Sequence, residues 1–90
     1  NEIYIADMCR YQHAWLTFLQ GDAELTKLQL SKIENETIFK ELAHIFQAEI
    51  LDFIDKDISK AIDSYLQFLE LYPQSIYYDD VRLRLRELAS

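Results

Sequence analysis

Residues 61–73 read Ala61-Ile62-Asp63-Ser64-Tyr65-Leu66-Gln67-Phe68-Leu69-Glu70-Leu71-Tyr72-Pro73 and carry the clearest structural signal in the chain. Their apolar side chains recur at intervals of three and four residues, which is the spacing of one face of an α-helix. Asp57 stands upstream as a good N-cap, and Pro73 cannot continue a helix because it lacks an amide hydrogen. The sequence therefore predicts a helix that begins after Asp57 and ends near Leu71.

The same signals predict four more helices on either side of this stretch. Gly21 suits the left-handed position that follows a helix, and Asp22 can cap the next one. Asn35 and Thr37 are candidate caps for a third helix, and Ser75 is a candidate cap for the last. The predicted ranges are about 2–20, 22–33, 37–54 and 75–88. The predicted fold class is therefore all-α.

Composition excludes several classes of function. The 90 residues carry a net charge of −7, which argues against binding nucleic acid or an anionic membrane surface. One glycine and one proline exclude glycine-rich phosphate loops and hairpin-rich β folds. No apolar run approaches the roughly 20 residues that span a bilayer, so direct membrane insertion by this segment is not expected. The start at Asn1, without a leader, is typical of a segment excised from a longer chain.

An internal offset of 35 residues organises the helices into repeats. Residues spaced by this offset keep their apolar character through three long helices, although the side chains differ. The three matching sets are Met8, Tyr11, Trp15 and Phe18; Ala43, Phe46, Ile50 and Phe53; Tyr78, Val81, Leu85 and Leu88. The capping residues Asp22 and Asp57 recur at the same offset, which a helical bundle without repeats would not require. A period near 34 built from helical pairs is typical of tetratricopeptide repeats.

The stretch from Ala61 to Pro73 resembles the second helix and terminal proline of such a repeat, and Ser75, Tyr77 and Asp79 resemble the entry to the next one. The resemblance is to tetratricopeptide modules of bacterial envelope lipoproteins and Tol–Pal-associated coordinators. It implies a right-handed array of five antiparallel helices, about two and a half repeats in a single domain over residues 1–90. The expected parts are repeat one at 1–35, repeat two at 36–72 and a capping helix at 75–89. It also favours the bacterial cell envelope as the location, with the cytoplasm as the alternative.

The resemblance further implies a non-catalytic scaffold that binds a protein or peptide in the concave groove lined by the first helices of successive repeats. We expect no cofactor and no metal. The candidate binding residues on that side are Cys9, His13, Leu16, Glu41, His44, Leu51, Asp79, Leu83 and Arg86, with Ala6, Ala48 and Ile76 beside them. If each groove position on the third helix is shifted by one residue, a different set is selected. That set is Leu42, Ile45, Glu49 and Asp52.

Other interpretations stay open at this stage. The array could serve as a structural cap, with the open face of its first repeat covered by missing upstream repeats or by a second copy. A metal-binding bundle enzyme is the alternative from another class, since Glu41-x-x-His44 has the spacing used in di-metal bundles. Its remaining ligands would be His13 and Cys9. The simpler expectation for Cys9 is a small buried hydrophobe, and for Trp15 a place in the core.

Overall fold

The computed structural model describes all ninety residues, Asn1–Ser90, and all of its regular secondary structure is helical. It contains five α-helices and no strands, which confirms the predicted all-α class. The helices are α1 (Glu2–Leu19), α2 (Ala23–Ser31), α3 (Ile38–Glu49), α4 (Ile58–Leu71) and α5 (Tyr78–Ala89), and a π-helical segment (Ile50–Ile54) follows α3 directly.

Contacts group the chain into two compact units, Asn1–Gln47 and Ala48–Ser90. The first contains α1, α2 and most of α3; the second contains the π-helical segment, α4 and α5. The repeat boundaries near residues 35 and 72 follow from sequence phase and stay a prediction.

The turns before α2 and α4 have the same local structure. Asp22 Oδ1 accepts a hydrogen bond from the backbone N–H of Leu25 at 3.0 Å, and Asp57 Oδ1 accepts one from Lys60 at 3.2 Å. Both predicted N-caps are therefore confirmed. The residues just before them, Gly21 and Lys56, both have positive φ, +90° and +54°. The left-handed residue and the capping aspartate thus recur at the offset of 35 residues.

Buried positions after these caps recur at the same offset. Thr26 and Ala61 are fully buried, as are Leu30 and Tyr65 one turn later, with 1% and 3% of their surface exposed. Ile33 and Phe68 complete the two sets. The positions after the caps that match at an offset of 35 residues in the sequence are therefore buried in both units.

The core of the first unit is aromatic. Phe46 on α3 lies against Trp15 and Phe18 of α1, with ring centroids 4.3 and 5.3 Å apart. Phe39, about two turns earlier, packs edge-on to Tyr4 at 5.0 Å. The side-chain amide of Gln47 donates to the backbone carbonyl of Lys27 at 2.8 Å and attaches α3 to α2.

The predicted third helix departs from α-helical geometry at its end. At residues 50–54 the backbone forms a π-helical turn, in which the N–H of Asp55 bonds the carbonyl oxygen of Ile50 at 2.9 Å, five residues earlier. The wider turn rotates the following side chains relative to a straight α-helix. Phe53, predicted on the core stripe, is consequently 52% exposed, whereas Asp52 is buried.

Two further expectations about single residues were wrong. Cys9 is exposed, because it lies on the side of α1 that faces away from the unit's core. Ser75 does not cap α5: its hydroxyl accepts from the N–H of Tyr77 at 3.0 Å, and the helix begins at Tyr78. Asn35 and Thr37, the two candidate caps for the third helix, donate hydrogen bonds from their side chains to Asp7, and a capping role for either stays a prediction.

Candidate functional site

One side of α1 is apolar and yet faces solvent; we call it the α1 outer face. Its residues are spaced three and four apart, so they share one side of the helix. They are Ile5, Met8, Cys9, Gln12, Trp15, Leu16 and Leu19. Gln12 is the sole polar member and none is charged, which is unusual for the solvent side of a helix.

The opposite side of α1 is buried against its own unit. Asp7, Ala14 and Thr17 are its buried residues. The Thr17 hydroxyl donates to the backbone carbonyl of His13 at 3.1 Å, so this buried polar group is satisfied within the helix. Because α1 already has its core side, the α1 outer face is additional apolar surface.

The α1 outer face leaves large side chains in water. Leu19 is 73% exposed, Leu16 59%, Ile5 53% and Trp15 41%. Single exposed apolar residues are ordinary, whereas several on one side of a helix make that side a candidate binding surface. Trp15, which the sequence predicts in the core, contributes both to the core and to the α1 outer face. One part of its ring packs on Phe46 and the rest faces solvent.

A shallow open groove runs along one edge of this face. It is lined by Met8, Tyr11, Gln12, Trp15, Leu16 and Phe39. The aromatic wall is held in place from behind, because Trp15 meets Phe18 edge-on at 5.8 Å and Tyr11 packs on Phe39 at 5.8 Å. A rigid aromatic wall loses little conformational entropy when a ligand packs on it.

A buried carboxylate fixes the orientation of α1 in the first unit. Asp7 is fully buried and accepts hydrogen bonds from Thr37 Oγ1 at 2.8 Å, Arg10 Nη1 at 3.0 Å and Asn35 Nδ2 at 3.2 Å. Burial acts to raise the pKa of Asp7, but the three hydrogen bonds outweigh it and hold the pKa below its usual value. The ionised carboxylate therefore ties the loop before α3 to α1.

A second buried carboxylate organises the other unit. Asp52 receives two parallel hydrogen bonds from Arg84 on α5, at 2.8 and 2.9 Å, and one from the Tyr65 hydroxyl on α4 at 2.8 Å. The guanidinium also lies over the Phe53 ring, 4.8 Å from its centroid. The hydrogen bonds from Arg84 hold the pKa of Asp52 below its usual value, although burial opposes them. Burial and the bond to Asp52 raise the pKa of Tyr65.

Each of the two carboxylates accepts three hydrogen bonds from side chains of its own unit and so joins elements within that unit. Asp52 belongs to the alternative groove set predicted for the third helix, and its burial removes it from any such surface.

The predicted binding residues fall in both units. Cys9, His13 and Leu16 are exposed on α1, and Glu41 and His44 are half-buried on α3. In the second unit, Leu51 is half-buried and Asp79, Leu83 and Arg86 are exposed. Ala48, expected beside them, is fully buried and cannot line a groove. A common groove formed by all nine stays a prediction.

No three histidine, cysteine or acidic side chains lie close enough together to hold a metal ion. The di-metal alternative built on Glu41, His44, His13 and Cys9 thus gains no support from side-chain geometry.

None of the helices combines the length and the apolar character needed to cross a membrane.

Sequence reasoning missed Ile5, Gln12 and Leu19 as surface residues, although their spacing was visible. An 18-residue helix with two apolar stripes offers two candidate core sides. The stripe through Met8, Tyr11, Trp15 and Phe18 matches the repeat offset, and that match favours it as the core side. The second stripe, through Ile5, Leu16 and Leu19, was the signal that could have identified the α1 outer face.

Comparisons with protein-family models, with curated proteins and with solved structures find no match to this chain.

Proposed function

We propose that this chain is a tetratricopeptide-like helical-repeat module that binds a protein through the α1 outer face and performs no catalysis. The observation that carries the proposal is an uncharged apolar surface, with Leu16 59% and Leu19 73% exposed, on a helix whose other side is already packed. Protein-binding grooves combine such apolar anchors with few charges.

The repeat interpretation is supported by local structure within each unit. A left-handed residue, a capping aspartate and three buried positions recur at an offset of 35 residues, from Gly21 to Ile33 and from Lys56 to Phe68. Helical repeats bury their shared faces against neighbours and use the remaining surface for binding.

A second observation supports an α-helical ligand. The exposed side chains of the α1 outer face follow a three-and-four spacing over 15 residues, from Ile5 to Leu19. A partner helix with the same spacing would match it side chain for side chain.

A peptide-display selection against the purified chain tests the proposal. We expect selected peptides to share apolar residues at helical spacing and to change the fluorescence of Trp15, the sole tryptophan, when they bind. Leu16→Glu, which places a charge on the surface, should weaken binding at least tenfold. The matched control is Leu66→Glu, because Leu66 is a similarly exposed leucine on α4.

Two results would contradict the proposal: a selection that yields no binders, or binders that Leu66→Glu and Leu16→Glu weaken equally. Circular dichroism of both variants ensures that any loss of binding is not a loss of helix.

A further inference from the structure

The α1 outer face is equivalent to a stripe of the third helix that is covered by a neighbouring helix, and we infer that its partner is a helix of the same kind as α1. This partner helix belongs to another protein, runs parallel to α1 and presents aromatic side chains at three-and-four spacing. The inference rests on the proposed function, because it names the occupant of that same surface.

The equivalence follows from the two turns that lead to the capping aspartates. The N–H of Asp22 bonds the carbonyl oxygen of Thr17, five residues earlier, at 3.3 Å. The N–H of Asp57 bonds the carbonyl oxygen of Leu51, six residues earlier, at 2.9 Å. The π-helical turn accounts for the one additional residue. Residues before the π-helical turn therefore match at the offset from Thr17 to Leu51, which is 34, and not at the offset of 35 that applies after it.

Burial before the turn supports the offset of 34. It pairs Ala14 with Ala48, and both have 0% of their surface exposed. It also pairs Tyr11 with Ile45, which are both half-buried. The offset of 35 would instead pair the buried Ala14 with Glu49, which is exposed. The match is therefore one of structure and not of helical spacing alone.

At this offset the α1 outer face matches the buried stripe of the third helix. The counterparts of Ile5, Cys9, Gln12 and Leu16 are Phe39, Ala43, Phe46 and Ile50, each at most 9% exposed. In the first unit this stripe is covered by α1, because Tyr4 packs on Phe39 and Trp15 packs on Phe46. The partner helix takes on α1 the position that α1 holds on the third helix.

The contacts between α1 and α3 also give the direction of the partner. Tyr4, near the start of α1, packs on Phe39, near the start of α3. Phe18, near the end of α1, packs on Phe46, further along α3. Early residues meet early residues, so the two helices run parallel. A helix in the equivalent position on α1 runs parallel to it as well.

The chemistry of the partner follows from what α1 itself presents to α3. The contacting side chains of α1 are all aromatic: Tyr4, Tyr11, Trp15 and Phe18. The α1 outer face has small or flexible residues at its centre, Cys9 and Gln12, beside the open groove, and large rings are the side chains that fill such a surface. A second copy of this chain does not supply those rings, because its own aromatic stripe is already covered by α3.

A library of helical peptides tests the chemistry. The library varies four positions spaced seven, four and three residues apart, which is the spacing of Tyr4, Tyr11, Trp15 and Phe18. Selection against the purified chain should enrich phenylalanine, tyrosine or tryptophan at most of these positions. Enrichment of aliphatic residues instead, or no preference at all, would overturn an aromatic partner.

A nitroxide label at the N-terminus of a selected peptide tests the direction. When the peptide binds the isotope-labelled chain, a parallel helix places the label beside Ile5 and broadens the resonances of that end of α1. Broadening centred on Leu19 would mean an antiparallel helix and would overturn the inference.

Cys9→Trp tests the equivalence of Cys9 with Ala43, whose small side chain lies between two packed rings. Although the new side chain adds apolar surface, calorimetry should show selected peptides binding at least about fivefold more weakly, because overfilling a packed position is unfavourable. The matched control is Ser59→Trp, since Ser59 is a small exposed residue on α4, and it should bind like the wild type. Unchanged or tighter binding by Cys9→Trp would show that the surface has no such packing.

The inference and the proposed function fail differently. Peptides that bind antiparallel or without aromatic residues overturn the inference, whereas loss of their binding in Leu16→Glu still supports the function. A chain that selects no peptide refutes both.

Discussion

Asp52 joins three elements of its unit through one side chain. It belongs to the π-helical segment, accepts from Tyr65 on α4 and forms a two-bond ion pair with Arg84 on α5. Removing one partner of a buried pair costs more than the pair contributes, since the other partner remains in a poorly hydrated site. Arg84 is one-third exposed, which moderates that cost.

We predict that Asp52→Asn lowers the free energy of unfolding by about 1–3 kcal/mol. The control is Asp63→Asn, an exposed aspartate on α4, which should change it by less than about 0.5 kcal/mol. Urea unfolding of both variants measures the difference. An Asp52 variant as stable as its control would mean that the network does not hold α5 in place.

Acid should destabilise the protein through Asp7 and Asp52. Both pKa values lie below the ordinary 3.8. At pH values between the folded pKa and 3.8, the unfolded chain therefore binds more protons than the folded chain. Their stabilising contribution is complete above about pH 5 and is lost progressively as the pH falls through 3.8 towards the lowered folded values. Glu49 acts in the opposite sense, because partial burial and the charge of Asp52 raise its pKa above 4.5.

The corresponding measurement is the unfolding free energy between pH 2 and 6. We expect the wild type to lose stability steeply below pH 4 and the double variant Asp7→Asn with Asp52→Asn to lose less over the same interval. Parallel profiles for the two proteins would show that these carboxylates are not the acid-sensitive groups.

At the scale of elements, the two capping turns offer a natural comparison. Gly21 and Lys56 occupy equivalent left-handed positions, but only glycine adopts them without steric cost. A side chain at Gly21 would meet no neighbouring atom within 4 Å, so the backbone angle alone decides the cost.

We predict that Gly21→Ala destabilises the chain by about 1–2 kcal/mol. Lys56→Gly should be neutral or stabilise it by up to about 1 kcal/mol, since relief of the strained angle is partly offset by a more flexible unfolded state. Thermal unfolding of both variants against the wild type measures this. A larger loss of stability for Lys56→Gly than for Gly21→Ala would contradict the equivalence of the two turns.

Sequence spacing could predict the helices and both aspartate caps, because these depend on residues within one turn of each other. It could not predict the π-helical segment, which exposes Phe53 and buries Asp52. The cost of burying Asp52 is offset by hydrogen bonds from Tyr65 and Arg84, which lie 13 and 32 residues away in the sequence. Nor could it choose between the two apolar stripes of α1. The choice depends on Phe39 and Phe46, which pack from another helix.

At the scale of the whole molecule, binding should be visible in stability. A ligand that binds only the folded chain raises the unfolding temperature with its concentration. We expect the midpoint to rise by about 5–10 °C per tenfold increase in the concentration of a peptide from the display selection, once that concentration exceeds the dissociation constant. Leu16→Glu should show a much smaller rise, and a wild-type midpoint that does not change would argue against binding to the folded chain.

The central claim is that the α1 outer face is the binding surface of this protein. The most direct test is nuclear magnetic resonance of the isotope-labelled chain, recorded during titration with a peptide from the display selection. The account predicts that the largest shift changes fall on Ile5 to Leu19 and on the indole N–H of Trp15, with little change in α4. Changes centred on α4 or α5, with α1 unaffected, would contradict it.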